Sequence, residues 1–133
     1  MTARDLRVGY VGLGDIGHGM AANLARAPEI DLTVFDTRSE AVAALAVLGA
    51  HAAADVAELA HQVDVLHICV ADAEQLRGVL FGERGFADGA RSGQVVVLHS
   101  TVSPMVVREC AEALDPLGVA VLVAPGLGRV GVS

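Results

Sequence analysis

The sequence predicts an α/β fold, a doubly wound and mainly parallel sheet with helices on both faces. Three observations carry that expectation. Short β-rich runs alternate along the chain with longer helical ones, as strand–helix–strand units do. Two of the runs are almost continuously apolar, the pattern of strands covered on both faces. The apolar residues are mostly small: 23 Ala and 21 Val against three Phe, one Tyr and no Trp, with 15 Gly. Such side chains suit thin, closely packed layers. A chain of 133 residues makes one domain that buries roughly two thirds of its unfolded surface, enough for a core without disulfides or metal.

Each element has a local reason. Arg7–Val11 is a β-rich run that ends at glycines. Residues 16–27 form a helical stretch that Pro28 stops. Asp31–Phe35 is the second strand. Ser39 is expected to cap a helix over 40–48, with Gly49 in the C′ position. Residues 51–54 read as a short strand, and Asp55 caps a brief helix to about Gln62. Residues 63–71 and 94–99 are the two apolar runs, expected as strands buried on both faces. Between them, residues 72–81 are helical and 82–93, rich in glycine and charge, read as loop with a turn of helix. Ser103 caps a helix that Pro104 opens and that runs to about Leu114. Residues 118–123 form a sixth strand.

Charge and cysteine usage exclude several function classes. Nine basic residues, every one an Arg, face sixteen acidic ones, for a net charge of −7. Nucleic acid and anionic membrane surfaces are therefore not expected partners. With no Lys in the chain, no Schiff base or P-loop lysine is available. Cys69 and Cys110 form no C-x-x-C pair, so no metal site is expected and both read as packing residues in a reducing compartment. No apolar run reaches the roughly 18 residues that span a bilayer. A cytoplasmic location follows as the expectation.

The chemistry-bearing motif is Gly12-Leu13-Gly14-Asp15-Ile16-Gly17. A G-x-G-x-x-G alone is a weak signal. Here it follows a strand, opens a helix, and is succeeded by Asp36 at the end of the second strand, about twenty residues on. That context is the dinucleotide fingerprint of a Rossmann-type domain. Gly12 permits the tight turn, Gly14 the approach of the pyrophosphate, and Gly17 close helix–strand packing. The free N–H groups at the helix start receive phosphate. Asp36 accepts hydrogen bonds from the adenosine ribose, which favours NAD; Arg38, positioned to meet a 2′-phosphate, leaves NADP open. Asp15 suits a helix N-terminus.

These residues resemble a family. Residues 11–17, followed by Met20-Ala21-Ala22-Asn23-Leu24, look like the N-terminus of the β-hydroxyacid dehydrogenases, which include 3-hydroxyisobutyrate and 6-phosphogluconate dehydrogenases. Residues 64–72 resemble that family's fourth strand and the turn, with Val70 and Ala71, that passes under the cofactor. Ser100-Thr101-Val102-Ser103-Pro104 resembles its S-T-x-S-P motif. The resemblance implies hydride transfer between nicotinamide and a small β-hydroxy acid. It implies that Thr101 lies near the nicotinamide ribose and contacts the cofactor, with Ser100 beside it. His99, which ends the fifth strand just before them, falls near the expected nicotinamide end and is the best substitute acid/base candidate.

The resemblance also has departures. Where the family has a substrate-binding D-A-P-V-S-G-G, this chain reads Val123-Ala124-Pro125-Gly126-Leu127-Gly128-Arg129. Leu127 replaces the serine and Arg129 a glycine. The family's catalytic lysine has no counterpart, so no catalytic residue is assigned. Residues 1–125 are expected to form the dinucleotide-binding domain. Residues 126–133 are expected to begin the connection to a C-terminal helical domain absent from this chain. The expected activity is binding without turnover by the chain alone; the alternative is a free-standing NAD(H)-binding or regulatory module. A face awaiting a second domain predicts a homo-oligomer or a partner-dependent protein. Among the remaining histidines, His67 reads as a satisfied core residue, His18 as surface or phosphate-proximal, and His51 and His61 as solvent-facing.

Overall fold

Six parallel strands form one sheet in a computed structural model that describes residues 6–12, 15–99 and 103–124. The strands are β1 (Leu6–Val11), β2 (Ile30–Phe35), β3 (His51–Ala52), β4 (Val65–Ile68), β5 (Val95–Leu98) and β6 (Ala120–Val123). Their spatial order is β3-β2-β1-β4-β5-β6. Every neighbouring pair is parallel, with Tyr10 opposite both Val34 of β2 and His67 of β4. Chain order reverses between β1 and β4. A doubly wound sheet opens a crevice at that switch point, beyond the carboxyl ends of the strands.

The helices are α1 (Asp15–Arg26), α2 (Ser39–Ala46), α3 (Val56–Gln62), α4 (Ala73–Phe81), the single turn α5 (Phe86–Gly89) and α6 (Pro104–Leu114). Two core layers result, because successive strand residues point to opposite faces. On one face, Val8 and Tyr10 of β1 and Leu32 and Val34 of β2 pack with Ala21 and Ala22 of α1 and Leu45 of α2. On the other, Val11, Leu66, Ile68, Val96 and Leu98 pack with Leu59 of α3, Leu76 and Leu80 of α4, Phe86, and Cys110 and Leu114 of α6.

Local chemistry explains most boundaries. The side chains of Asp55, Asp72 and Ser103 each accept a hydrogen bond from a backbone N–H in the first turn of α3, α4 and α6. Gly49 follows α2 at φ +108°, and its N–H bonds the Ala46 carbonyl.

Three expectations are corrected. Ser39 does not cap α2; it is the first helical residue, Arg38 holds the cap position, and the Arg38 side chain makes no capping hydrogen bond. The third strand stops at Ala52, where its pairing with Thr33 and Val34 ends. The two apolar runs are not buried on both faces. Leu66, Ile68, Val96 and Leu98 are buried, but their alternates Val65, His67, Val95 and Val97 are only half-buried. The cause is that α1 and α2 lie over β1 and β2, so this face has thinner cover at β4, β5 and β6 among the described residues. Leu122 of β6 is 56% exposed. No described helix is long and apolar enough to cross a membrane, and no described cluster of His, Cys, Asp and Glu could hold a metal ion.

Candidate dinucleotide site

Gly12 is the hinge of the switch point. Its φ is +93°, a left-handed conformation that side-chain-bearing residues rarely adopt. A Cβ there would also collide with the Cys69 carbonyl. Two backbone bonds fix the approach: the Gly12 N–H donates to the Phe35 carbonyl (3.3 Å), and the Cys69 N–H to the Val11 carbonyl (2.9 Å). The ends of β1, β2 and β4 thereby converge on one residue without a side chain.

A cleft of about 580 Å³ opens over this point. Its inner wall is Val11, Gly12 and the segment Cys69-Val70-Ala71; its sides include Phe35, Asp36 and Thr37 from the end of β2, and Gln75, Gly78 and Val79 from α4. Asp55, Val56, Glu83, Arg84 and Gly85 close the far end. The walls are largely apolar, with polar groups at the strand ends, the usual make-up of a cofactor site.

Asp36 is held in place at the end of β2. Its side chain is only 10% exposed, and Oδ1 accepts from the Arg38 N–H (2.9 Å) and Nε (3.4 Å). Arg38 is thus drawn toward the carboxylate that ends β2. Across the cleft, the Gln75 side chain accepts from the Ala71 N–H (2.9 Å), and Asp72 caps α4. These two bonds fix the turn after β4.

His99 and His67 have a different environment from the cleft, which neither lines. His67 Nδ1 and His99 Nε2 lie 2.7 Å apart, and both rings stack with Tyr10 at centroid distances of 5.5 and 5.9 Å. Burial pushes the His67 imidazole down to about 4, with His99 adding to the fall, and burial lowers His99 as well. Burial raises the Tyr10 phenol. The buried Nδ1 of His99 has no hydrogen-bond partner among the described residues. His67 is satisfied, as expected, but by the other histidine, and it is half-buried on the thinly covered face rather than in the core. His51 is exposed and meets Asp31 at 3.0 Å, and His61 is exposed.

Of the sequence-based site residues, Gly12, Asp36, Val70 and Ala71 line one cleft, and Arg38 bonds Asp36 at its edge. Asp15, Ile16 and Gly17 fall in the first turn of α1. Leu13, Gly14, Ser100 and Thr101 lie outside the described residues, as do Leu127 and Arg129. Sequence reasoning missed the far wall. Asp55 carried only a capping signal, and Gln75, Gly78, Val79 and Arg84 carried none, because their meeting depends on how α3, α4 and the turn after α4 pack.

Residues 7–130 match the family model of the NAD binding domain of 6-phosphogluconate dehydrogenase. The chain belongs to that family. Its relatives include β-hydroxyacid dehydrogenases and other oxidoreductases. An uncharacterized oxidoreductase of Mycobacterium tuberculosis is 40% identical over 122 residues, covering 92% of this chain and 41% of the relative. The L-threonate dehydrogenase of Escherichia coli K12 is 36% identical over 128 residues, covering 96% and 42%. A crystal structure of 3-hydroxyisobutyrate dehydrogenase from Salmonella typhimurium superposes with a TM-score of 0.80 at 38% identity, covering 88% of this chain and 40% of that one. The chain thus spans about two fifths of the length of these relatives. It is an NAD-binding domain of the β-hydroxyacid dehydrogenase type, and a largely apolar cleft with a strand-end carboxylate lies at its switch point.

Proposed function

We propose that these 133 residues are the cofactor-binding half of an oxidoreductase that moves a hydride between nicotinamide and a small β-hydroxy acid. The observation that carries this reading is the convergence of Gly12, Cys69-Val70-Ala71 and Asp36 on one cleft at the topological switch point. In this reading residues 1–125 are the binding domain and 126–133 lead toward a helical domain. The pyrophosphate rests on the Gly12–Gly17 turn and the first N–H groups of α1. Asp36 receives the adenosine ribose, Val70 and Ala71 pass beneath the cofactor, and Thr101 meets it near the nicotinamide.

NAD is the preferred cofactor. A 2′-phosphate would approach a nearly buried carboxylate, and Arg38 is already engaged with that carboxylate. Titration with NAD and NADP tests this: NAD should bind more tightly, and Asp36→Ala should narrow or reverse the difference. Tighter binding of NADP by the wild-type chain would sink it.

Turnover by these residues alone is not expected. Oxidising a hydroxyl needs a group to take its proton; the resemblance assigns that task to a lysine, and this sequence has none. Incubation with NAD and a panel of β-hydroxy acids should give no steady NADH production; sustained production would refute the proposal. The second reading is a binding module that senses NAD(H) through the same cleft. It predicts a partner whose association depends on NAD.

A further inference from the structure

The far end of the cleft carries an arrangement that the fingerprint does not account for. Arg84 has φ +53°, and it is the one described residue other than glycine with a left-handed backbone. Strain of this kind persists only where surrounding contacts impose it, and it concentrates at ligand clamps. The contacts here are explicit. The Arg84 N–H donates to Asp88 (2.9 Å), and its carbonyl accepts from the Ala57 N–H (3.0 Å). The guanidinium donates to both oxygens of Asp55, Nε at 2.9 Å and Nη2 at 3.1 Å. Asp55 and Arg84 both line the cleft, and both keep exposed surface.

The position of this pair defines what it meets. The pyrophosphate belongs at Gly12 and the ribose at Asp36, so the base must extend past Asp36 toward Val56, Val79 and the Asp55–Arg84 pair. A purine has flat apolar faces and a polar edge. The cleft offers Phe35, Val56 and Val79 for the faces and Arg84 for the edge. Arg84 spends two of its five N–H donors on Asp55, leaving donors for a ring nitrogen. The fork on Asp55 holds the guanidinium in one orientation, so little freedom is lost on binding.

We propose that Arg84, oriented by Asp55, determines specificity for the adenine base by donating to its polar edge from the far wall of the cleft. The inference rests on the dinucleotide reading above. Its test is isothermal titration of the full chain with ADP-ribose, which carries the adenine end, and with nicotinamide mononucleotide, which lacks it. Arg84→Ala should weaken ADP-ribose binding roughly tenfold, as loss of a hydrogen bond from a charged donor does, and leave the mononucleotide unchanged. Arg84→Lys, which keeps the charge without the fork, should fall between. Asp55→Asn, which retains a capping oxygen for α3, should weaken ADP-ribose in the same sense. Unaltered ADP-ribose binding by Arg84→Ala overturns the proposal, and so do equal losses for both ligands, which would mark Arg84 as a general support of the cleft. If wild type binds neither ADP-ribose nor NAD, the dinucleotide reading fails first. If wild type binds and the variants match it, only the role of Arg84 fails.

Discussion

At the scale of the residue, Gly12 shows how one position serves fold and site together. The same φ and the same missing Cβ that end β1 also let the Cys69 carbonyl come close. Gly12→Ala should cost about 1–3 kcal/mol from backbone strain alone, with the collision adding to it. Chemical denaturation should show that loss, and NAD titration should show binding abolished. The histidine pair gives a second prediction. His67 titrates near 4 in the folded chain, below the ordinary value of 6.5, and His99 is lowered too. Between these limits the unfolded chain binds protons that the folded chain refuses, so stability rises with pH. Stability should fall as pH drops from about 6.5 toward about 4, then lose this dependence below. His67→Leu should flatten the slope in denaturation curves measured across that window. A wild-type stability independent of pH there would contradict the neutral histidine pair.

At the scale of the element, caps separate what pattern alone can and cannot locate. Asp72 and Ser39 look alike in sequence, each a capping residue type before a helical run. Asp72 bonds the Gln75 N–H at 2.9 Å, whereas Ser39 is already inside α2. Asp72→Ala should therefore destabilise the chain by about 1 kcal/mol, and Ser39→Ala by less than about 0.5 kcal/mol. Equal losses in denaturant midpoint would mean that Ser39 caps after all. Upstream, the Asp36 carboxylate accepts from the Arg38 N–H, and Arg38, not Ser39, holds the cap position. The two apolar strands teach a related lesson. Continuous apolar character says that neither face wants water, but it does not say how well each face is covered. In β4 and β5 the face toward α3, α4 and α6 is sealed, and the other is half-open.

At the scale of the molecule, that half-open face has consequences. Val65, Val95 and Val97 are incompletely covered, and Leu122 stands beside them in register with Val97. Exposed apolar area of this kind favours association. Sedimentation velocity should show concentration-dependent self-association, and Leu122→Glu should shift the population toward monomer. A wild-type chain that remains monomeric at high concentration would exclude this surface as an interface.

The sequence by itself determined the architecture, the order of strands and helices, and the inner half of the site. Those features are written locally. Period and composition set each element, parallel pairing follows from their alternation, and the glycine turn with Asp36 must sit at adjoining strand ends. Only the tertiary structure decided the far wall of the cleft, the pairing of His67 with His99, and which strand faces are covered. Residues 55 and 84, like 67 and 99, are far apart in the chain and meet through side-chain packing across elements. No local periodicity encodes such a contact, because its energy exists only once the layers have closed.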